Sequence, residues 1–117
     1  MELISREELK EELDRGNDLK VVMVLEGWQF KAMHIPGSLH IPVAKIDHDS
    51  LNSDDEIVVY CAVEACPASI IAYNRLKSRG YQNVRRYAGG IFDWEGAGFP
   101  VEGEMAKQLG QGTVGVA

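Results

Sequence analysis

Cysteine is scarce in this chain, and the scarcity excludes whole classes of protein. Only Cys61 and Cys66 occur, five positions apart, whereas a secreted disulfide scaffold needs more cysteines spread further along the sequence. A zinc site is disfavoured too, since no second cysteine pair and no suitably spaced histidine accompany them. Long apolar runs are missing: none approaches the roughly 18–20 residues that span a bilayer. The charged start MELISREELKEELDR lacks the apolar segment of a signal peptide. These absences lead to the expectation of a cytoplasmic protein with no membrane partner. Positive charge is also short. The net charge is −6 and no Lys/Arg stripe is visible, which argues against nucleic acid as a partner. Any site for an anion therefore has to be built locally.

What remains is enough for one core. The chain has 117 residues, 45% of them hydrophobic, which suits a single closed domain needing neither disulfides nor a metal. There is no internal repeat or low-complexity block. The expected organisation is one domain over residues 1–103, followed by a loose tail over 104–117 that ends GQGTVGVA.

Strand and helix signals alternate along the chain. Ser5 followed by Glu8 is a capping-box pattern, with Leu9 and Leu13 on one helical face and Gly16-Asn17 as the stop. The run Leu19–Val24 reads as a strand covered on both faces. A loop carrying Trp28 and Phe30 leads to His34-Ile35-Pro36-Gly37-Ser38, where Pro-Gly marks a turn. Leu39–Ile41 is a short strand closed by Pro42, and Val43–Leu51 suits a short helix. Glu56–Tyr60 is the clearest strand, β-branched and apolar, and it ends at Cys61. Pro67 then suits the start of a helix whose apolar stripe is Ala68, Ile71, Ala72 and Leu76, stopping at Gly80. Val84–Tyr87 is a further strand, and Gly89 to Trp94 opens a short helix before Gly98-Phe99-Pro100-Val101. Such alternation predicts an α/β fold with a central, mostly parallel sheet and helices on both faces.

In that fold ligands bind at the carboxyl ends of strands, and Cys61 stands at one. A strand, a cysteine, a short loop and a helix make a workable anion cradle. The loop can turn successive N–H groups inward, and the helix adds its positive end. Both favour thiolate, which predicts a Cys61 pKa below the free value of about 8.5. A thiolate there can attack sulfur, and the same N–H groups can hold the resulting persulfide anion.

At these residues the sequence resembles the rhodanese family of single-domain sulfurtransferases. The resemblance runs in order through His34-Ile35-Pro36-Gly37-Ser38 with His40-Ile41-Pro42, Ile57-Val58-Val59-Tyr60-Cys61, Ala68-Ser69, Arg79-Gly80-Tyr81, and Tyr87-Ala88-Gly89-Gly90-Ile91-Phe92-Asp93-Trp94 with Gly98-Phe99-Pro100-Val101. It implies the rhodanese-like fold and a catalytic Cys61. That cysteine would take a sulfane sulfur from a small sulfur-containing anion or a persulfide and pass it to a thiol acceptor, with a protein donor or acceptor as a further option. It implies no metal or organic cofactor. The substrate-binding residues would be those of the active loop, Ala62, Val63, Glu64, Ala65 and Cys66.

The loop departs from the family pattern. A glycine is common at its fourth position and an arginine at its sixth, where this chain has Glu64 and Cys66. Met23 and Leu25 stand where the family often has Asp and Arg at the end of an earlier strand. Losing the arginine removes a bidentate anion clamp, and a loop carboxylate repels thiosulfate and raises the Cys61 pKa against the helix dipole. A donor less charged than thiosulfate is therefore expected. Phosphatases of this fold need Cys-x5-Arg, and Pro67 occupies the arginine's place.

Two readings stay open at Cys66: an apolar packing residue, or a thiol that resolves a Cys61 persulfide. Two function classes also stay open: a sulfurtransferase or sulfur relay, and a non-catalytic or redox-sensing binding module. Glu64 reads as a solvated loop charge, His34 as a structural hydrogen-bonding residue and Trp94 as core. His40 and His48 carry no catalytic signal; Arg85 and Arg86 could supply positive charge to a neighbouring loop, but a solvated strand edge is the plainer reading.

Overall fold

A computed structural model describes residues 1–46 and 51–106. The first helix, α1, spans Arg6–Asp14, and its start is the expected capping box. The Glu8 N–H donates to Ser5 Oγ at 3.1 Å and the Ser5 N–H donates to Glu8 Oε1 at 3.2 Å, so two amides that a helix start leaves unpaired are satisfied. Strands β1 (Leu19–Met23), β2 (Leu39–His40), β3 (Glu56–Tyr60) and β4 (Val84–Arg86) form one sheet in the order β2-β1-β3-β4, every pair parallel. Further helices are α2 (Gly27–Ala32), α3 (Ala68–Ser78) and α4 (Gly90–Gly96).

Side chains alternate across the strands and divide the core in two. Val22, Val24, Ile57, Val59 and Cys61 pack with Ala72, Tyr73 and Leu76 of α3. Val21, Met23, Val58 and Tyr60 pack on the opposite side with Leu9 of α1 and with Ile91 and Trp94 of α4. The sheet is thus covered on both faces, and its long apolar strands are the consequence.

Three expectations change. The Trp28–Phe30 segment is helical rather than a loop; no residue of α2 is buried, so it leaves no apolar period in the sequence. Of the helix expected over Val43–Leu51, Val43–Lys45 form a 3₁₀ turn, and residues 47–50 lie outside the described residues. In α3 the inward face is Ser69, Ala72, Tyr73 and Leu76, spaced i, i+3, i+4, i+7, while Ile71 is exposed. His48 and residues 107–117, most of the expected tail, lie outside the described residues. No described helix is long and apolar enough to cross a membrane.

β4 is not a solvated edge. Residues 2–4 run beside it: the Arg86 N–H donates to the Glu2 carbonyl at 2.9 Å and the Ile4 N–H donates to the Arg86 carbonyl at 3.1 Å. Arg85 points to the α1 side and grips the Glu12 carboxylate through two nitrogens, at 2.8 and 3.1 Å. The Arg85 hydrogen bond holds the Glu12 carboxyl below its usual 4.5, against the opposing effect of its partial burial. A carboxyl with a lowered folded-state pKa contributes stability above its unfolded value, and loses it as pH falls through the folded one. Arg85→Met should therefore destabilise the protein at pH 7 by about 1 kcal/mol, and the difference should fade below pH 4.5. Urea unfolding of both proteins at pH 7 and pH 3 checks this.

Candidate active site

Cys61 follows β3 and continues its alternation, so its side chain faces α3, on the same side as Val59. The start of α4 pins this strand end. The Ile91 N–H donates to the Cys61 carbonyl at 2.9 Å and the Phe92 N–H to the Ala62 carbonyl at 3.1 Å. Gly90 makes the approach feasible: it sits at φ +77°, and a Cβ there would lie 2.5 Å from the Ala62 carbonyl.

Beyond Ala62 the chain arches outward through exposed Val63, Glu64 and Ala65. The arch closes where the Cys66 N–H donates to the Val63 carbonyl at 3.1 Å. That N–H is thus taken by the turn and not free for a sulfur anion in this conformation. Among the described residues the N–H groups of Ala62, Val63, Glu64 and Ala65 donate to no carbonyl, so four of the five expected amides remain available. The Glu64 carboxylate lies in the exposed part of the arch, as expected of a solvated charge.

The sulfur lies beneath the arch, 1% exposed. The Cys61 thiol donates to Ser69 Oγ at 3.3 Å and stands 3.6 Å from the Cys66 carbonyl oxygen and 4.0 Å from that of Val63. Cys66 packs partly buried against the same cluster. Both cysteines are free thiols.

These surroundings reverse the expected pKa. Burial pushes the Cys61 thiol above its ordinary 9.0, and the hydrogen-bonded Cys66 side chain pushes the same way. The Ser69 hydroxyl and backbone N–H pull it down but do not win. Loop amides and a helix start lower a thiol pKa only where they face the sulfur. Carbonyl oxygens stand there instead, and desolvation of a nearly inaccessible thiolate outweighs the helix start.

Two residues outside the expected site also matter. Ser69, fully buried on α3, touches the sulfur. Arg86 is 6% exposed and donates from Nε to Ser69 Oγ and from Nη2 to the Glu64 carbonyl, both at 2.9 Å. A signal for Arg86 existed: it shares a strand face with Val84, two residues before, and Val84 is in the α3-side core.

On the other side of the loop a cavity of about 190 Å³ is walled by Met23, Leu25, Trp28, Ala62, Phe92 and Met105. Met23 and Leu25 make this wall apolar. The His34–Ser38 turn is structural: His34 stacks on Phe30 at 3.9 Å and its Nδ1 bonds the Phe30 carbonyl at 2.7 Å. Tyr60 ties the turn to β3, accepting from the Ile35 N–H at 3.0 Å and bonding Ser38 Oγ at 2.9 Å; burial pushes its hydroxyl pKa up to about 12. Trp94 is core, its Nε1–H donating to the Pro100 carbonyl at 2.8 Å. Among the described residues no group of three or more His, Cys, Asp and Glu side chains is placed to hold a metal ion.

The model of the Rhodanese-like domain matches residues 5–97. The chain belongs to the rhodanese-like family. Among its relatives is YrkF of Bacillus subtilis, named as a candidate sulfur carrier protein, 32% identical over 95 residues that make up 80% of this chain and 50% of YrkF. Another is the HTH-type transcriptional regulator Rv0324 of Mycobacterium tuberculosis, 32% identical over 101 residues, 85% of this chain and 44% of the regulator. The chain thus spans about half the length of these two relatives. Of solved structures, the BH2092 protein from Bacillus halodurans superimposes with a TM-score of 0.82 at 28% identity, covering 89% of this chain and 78% of that one. The α/β fold with its parallel sheet is therefore that of the rhodanese-like domain.

Proposed function

We propose that the chain is a sulfurtransferase that carries a sulfane sulfur as a persulfide on Cys61. The observation that supports this best is the placement of the Cys61 sulfur. It lies at the carboxyl end of β3, in contact with Ser69 and under an arch with four amides free to bind an anion. In the first step the thiolate forms a bond to the outer sulfur of the donor. The donor's own S–S bond breaks, and its electron pair leaves on sulfite or on a thiolate. In the second step an acceptor thiolate takes that sulfur and Cys61 departs as thiolate. With Cys61 covered, the donor reaches it when the exposed arc at Val63–Ala65 moves aside. Amides of that arc then hold the charged sulfur.

The donor we infer is a persulfide, free or on a protein, rather than thiosulfate. The arch carries the Glu64 carboxylate, and the neighbouring cavity is apolar where the family often has Asp and Arg. Thiosulfate, doubly charged and without an apolar body, gains little from either.

Intact-mass spectrometry after incubation with thiosulfate, or with a low-molecular-weight persulfide, tests the reading. The persulfide should add one sulfur atom to the wild type and none to Cys61→Ala, with thiosulfate loading more weakly. An unchanged mass with both donors would overturn the carrier role.

The contact between Cys61 and Cys66 favours a second reading, a sulfur-responsive thiol switch. Here the Cys66 thiolate attacks Cys61 Sγ, the bond to the outer sulfur breaks, and hydrosulfide leaves. The sulfane sulfur is the oxidant, and a Cys61–Cys66 disulfide remains. Persulfide-treated wild type would then lose two hydrogens and gain no sulfur, whereas Cys66→Ala would keep the added sulfur.

A further inference from the structure

Among the described residues Arg86 is the one buried charged side chain, and its position asks for an anion. The backbone that carries it is fixed on both sides, by pairing with Val59 of β3 and by hydrogen bonds to residues 2–4. Its guanidinium is enclosed, and among the described residues it contacts a hydroxyl and a carbonyl rather than a carboxylate. A buried guanidinium is costly unless an opposite charge answers it. The sulfur of Cys61, which acquires negative charge when it reacts, stands one hydroxyl away.

The chemistry of Ser69 makes the link directional. Its Oγ accepts from Arg86 Nε–H, which engages one lone pair and leaves its own hydrogen unused. While Cys61 is a thiol, its S–H donates to that oxygen. Once the sulfur is an anion, the Ser69 O–H turns and donates to it. A hydroxyl already bonded to a cation is the stronger donor. The second Arg86 contact, to the Glu64 carbonyl, fixes which way the arch presents its amides.

Resting on the sulfur-carrier reading of Cys61, we propose that Arg86 is the positioning residue of the site. Through Ser69 it aims a hydroxyl proton at the sulfur, and through the Glu64 carbonyl it sets the arch. Its charge, arriving from β4, stands in for an arginine in the loop. Among the described residues the other titratable side chains of its loop and packing cluster are Cys66, Glu64, Tyr73 and Tyr81, and none of these is a cation.

Alkylation of Cys61 by iodoacetamide tests this across pH, followed on the Cys61 peptide so that Cys66 does not interfere. Arg86→Met should raise the midpoint by about one pH unit, a tenfold slower reaction at pH 8. Ser69→Ala should do the same, the double variant should add little to either, and Arg86→Lys should recover part of the rate. An Arg86→Met protein that folds like wild type and keeps its midpoint overturns the proposal. Full additivity in the double variant overturns the route through Ser69. Should Arg86→Met not fold, Arg86→Lys decides: the lone ammonium cannot span both contacts, so an unchanged midpoint refutes the role. The reagent donates no sulfur, so failure of persulfide loading leaves this result readable on its own.

Discussion

Gly90→Ala should lower the melting temperature by more than 10 °C and leave Cys61 in an altered environment. Two costs combine at this position. At φ +77° a residue with a Cβ sits in the left-handed region, which costs roughly 1–3 kcal/mol. The added methyl would also stand 2.5 Å from the Ala62 carbonyl and 2.6 Å from that of Cys61. Both neighbours are backbone, held by the Ile91 and Phe92 N–H groups, so relief requires moving the strand end itself, at about 1–3 kcal/mol more. The sum is a large part of the roughly 5–15 kcal/mol of a typical domain, and each kcal/mol shifts the midpoint by about 4 °C at this size. Gly98→Ala separates the two costs. Gly98 has a similar φ of +83° but nothing within 4 Å of its Cβ position. It should carry the dihedral cost alone and leave Cys61 alkylation at the wild-type rate. Equal losses for the two variants would show that the approach to Ala62 relaxes freely.

That pair of glycines also shows what the sequence does and does not disclose. Gly89-Gly90 stands in a recognisable motif, and the strand Glu56–Tyr60, the capping box at Ser5 and the turn before Ser38 all follow from local chemistry that the structure retains. Local signals suffice where an element's own residues make its contacts. They fail at α2, whose side chains are not buried, and at Ile71, where Ser69 and Tyr73 take the inward face. The candidate site divides in the same way. Cys61 at a strand end was legible, because a β-branched run must end there. Arg86 was legible only in part: its strand face and its charge beside a loop could be read, whereas its burial depends on residues 2–4 covering β4 and on a contact to Glu64 across 22 positions. The pKa direction failed for a related reason. Helix dipole and loop amides are countable in a sequence, whereas the carbonyls of Val63 and Cys66 beside the sulfur are not.

Cys61 alkylation should therefore climb about tenfold for each pH unit from 7 to 9, about 100-fold in all, without levelling off. The thiolate is the reacting form, and burial, followed by the Cys66 hydrogen bond, holds the thiol above 9.0. A free cysteine would already bend toward its plateau near pH 8.5. The same shift has a sign in stability. A folded-state pKa raised above the unfolded one favours the folded protein while the thiol is protonated. That contribution is complete below the unfolded value of about 8.5 and is lost as pH rises through the folded one. The alkaline limb of the stability curve should thus flatten in Cys61→Ala. Removing the second thiol gives an internal check: Cys66→Ala should move the alkylation midpoint down while burial still keeps it high. A wild-type plateau below pH 8 would mean that the arch turns its amides onto the sulfur in solution. Helix start and loop would then outweigh desolvation, and the resting thiol would already be poised as a nucleophile. A continued rise instead makes the arch a gate. In that case the thiol waits protonated under Val63 and Cys66, and reactivity is set by how often the exposed arc at Val63–Ala65 opens to a donor.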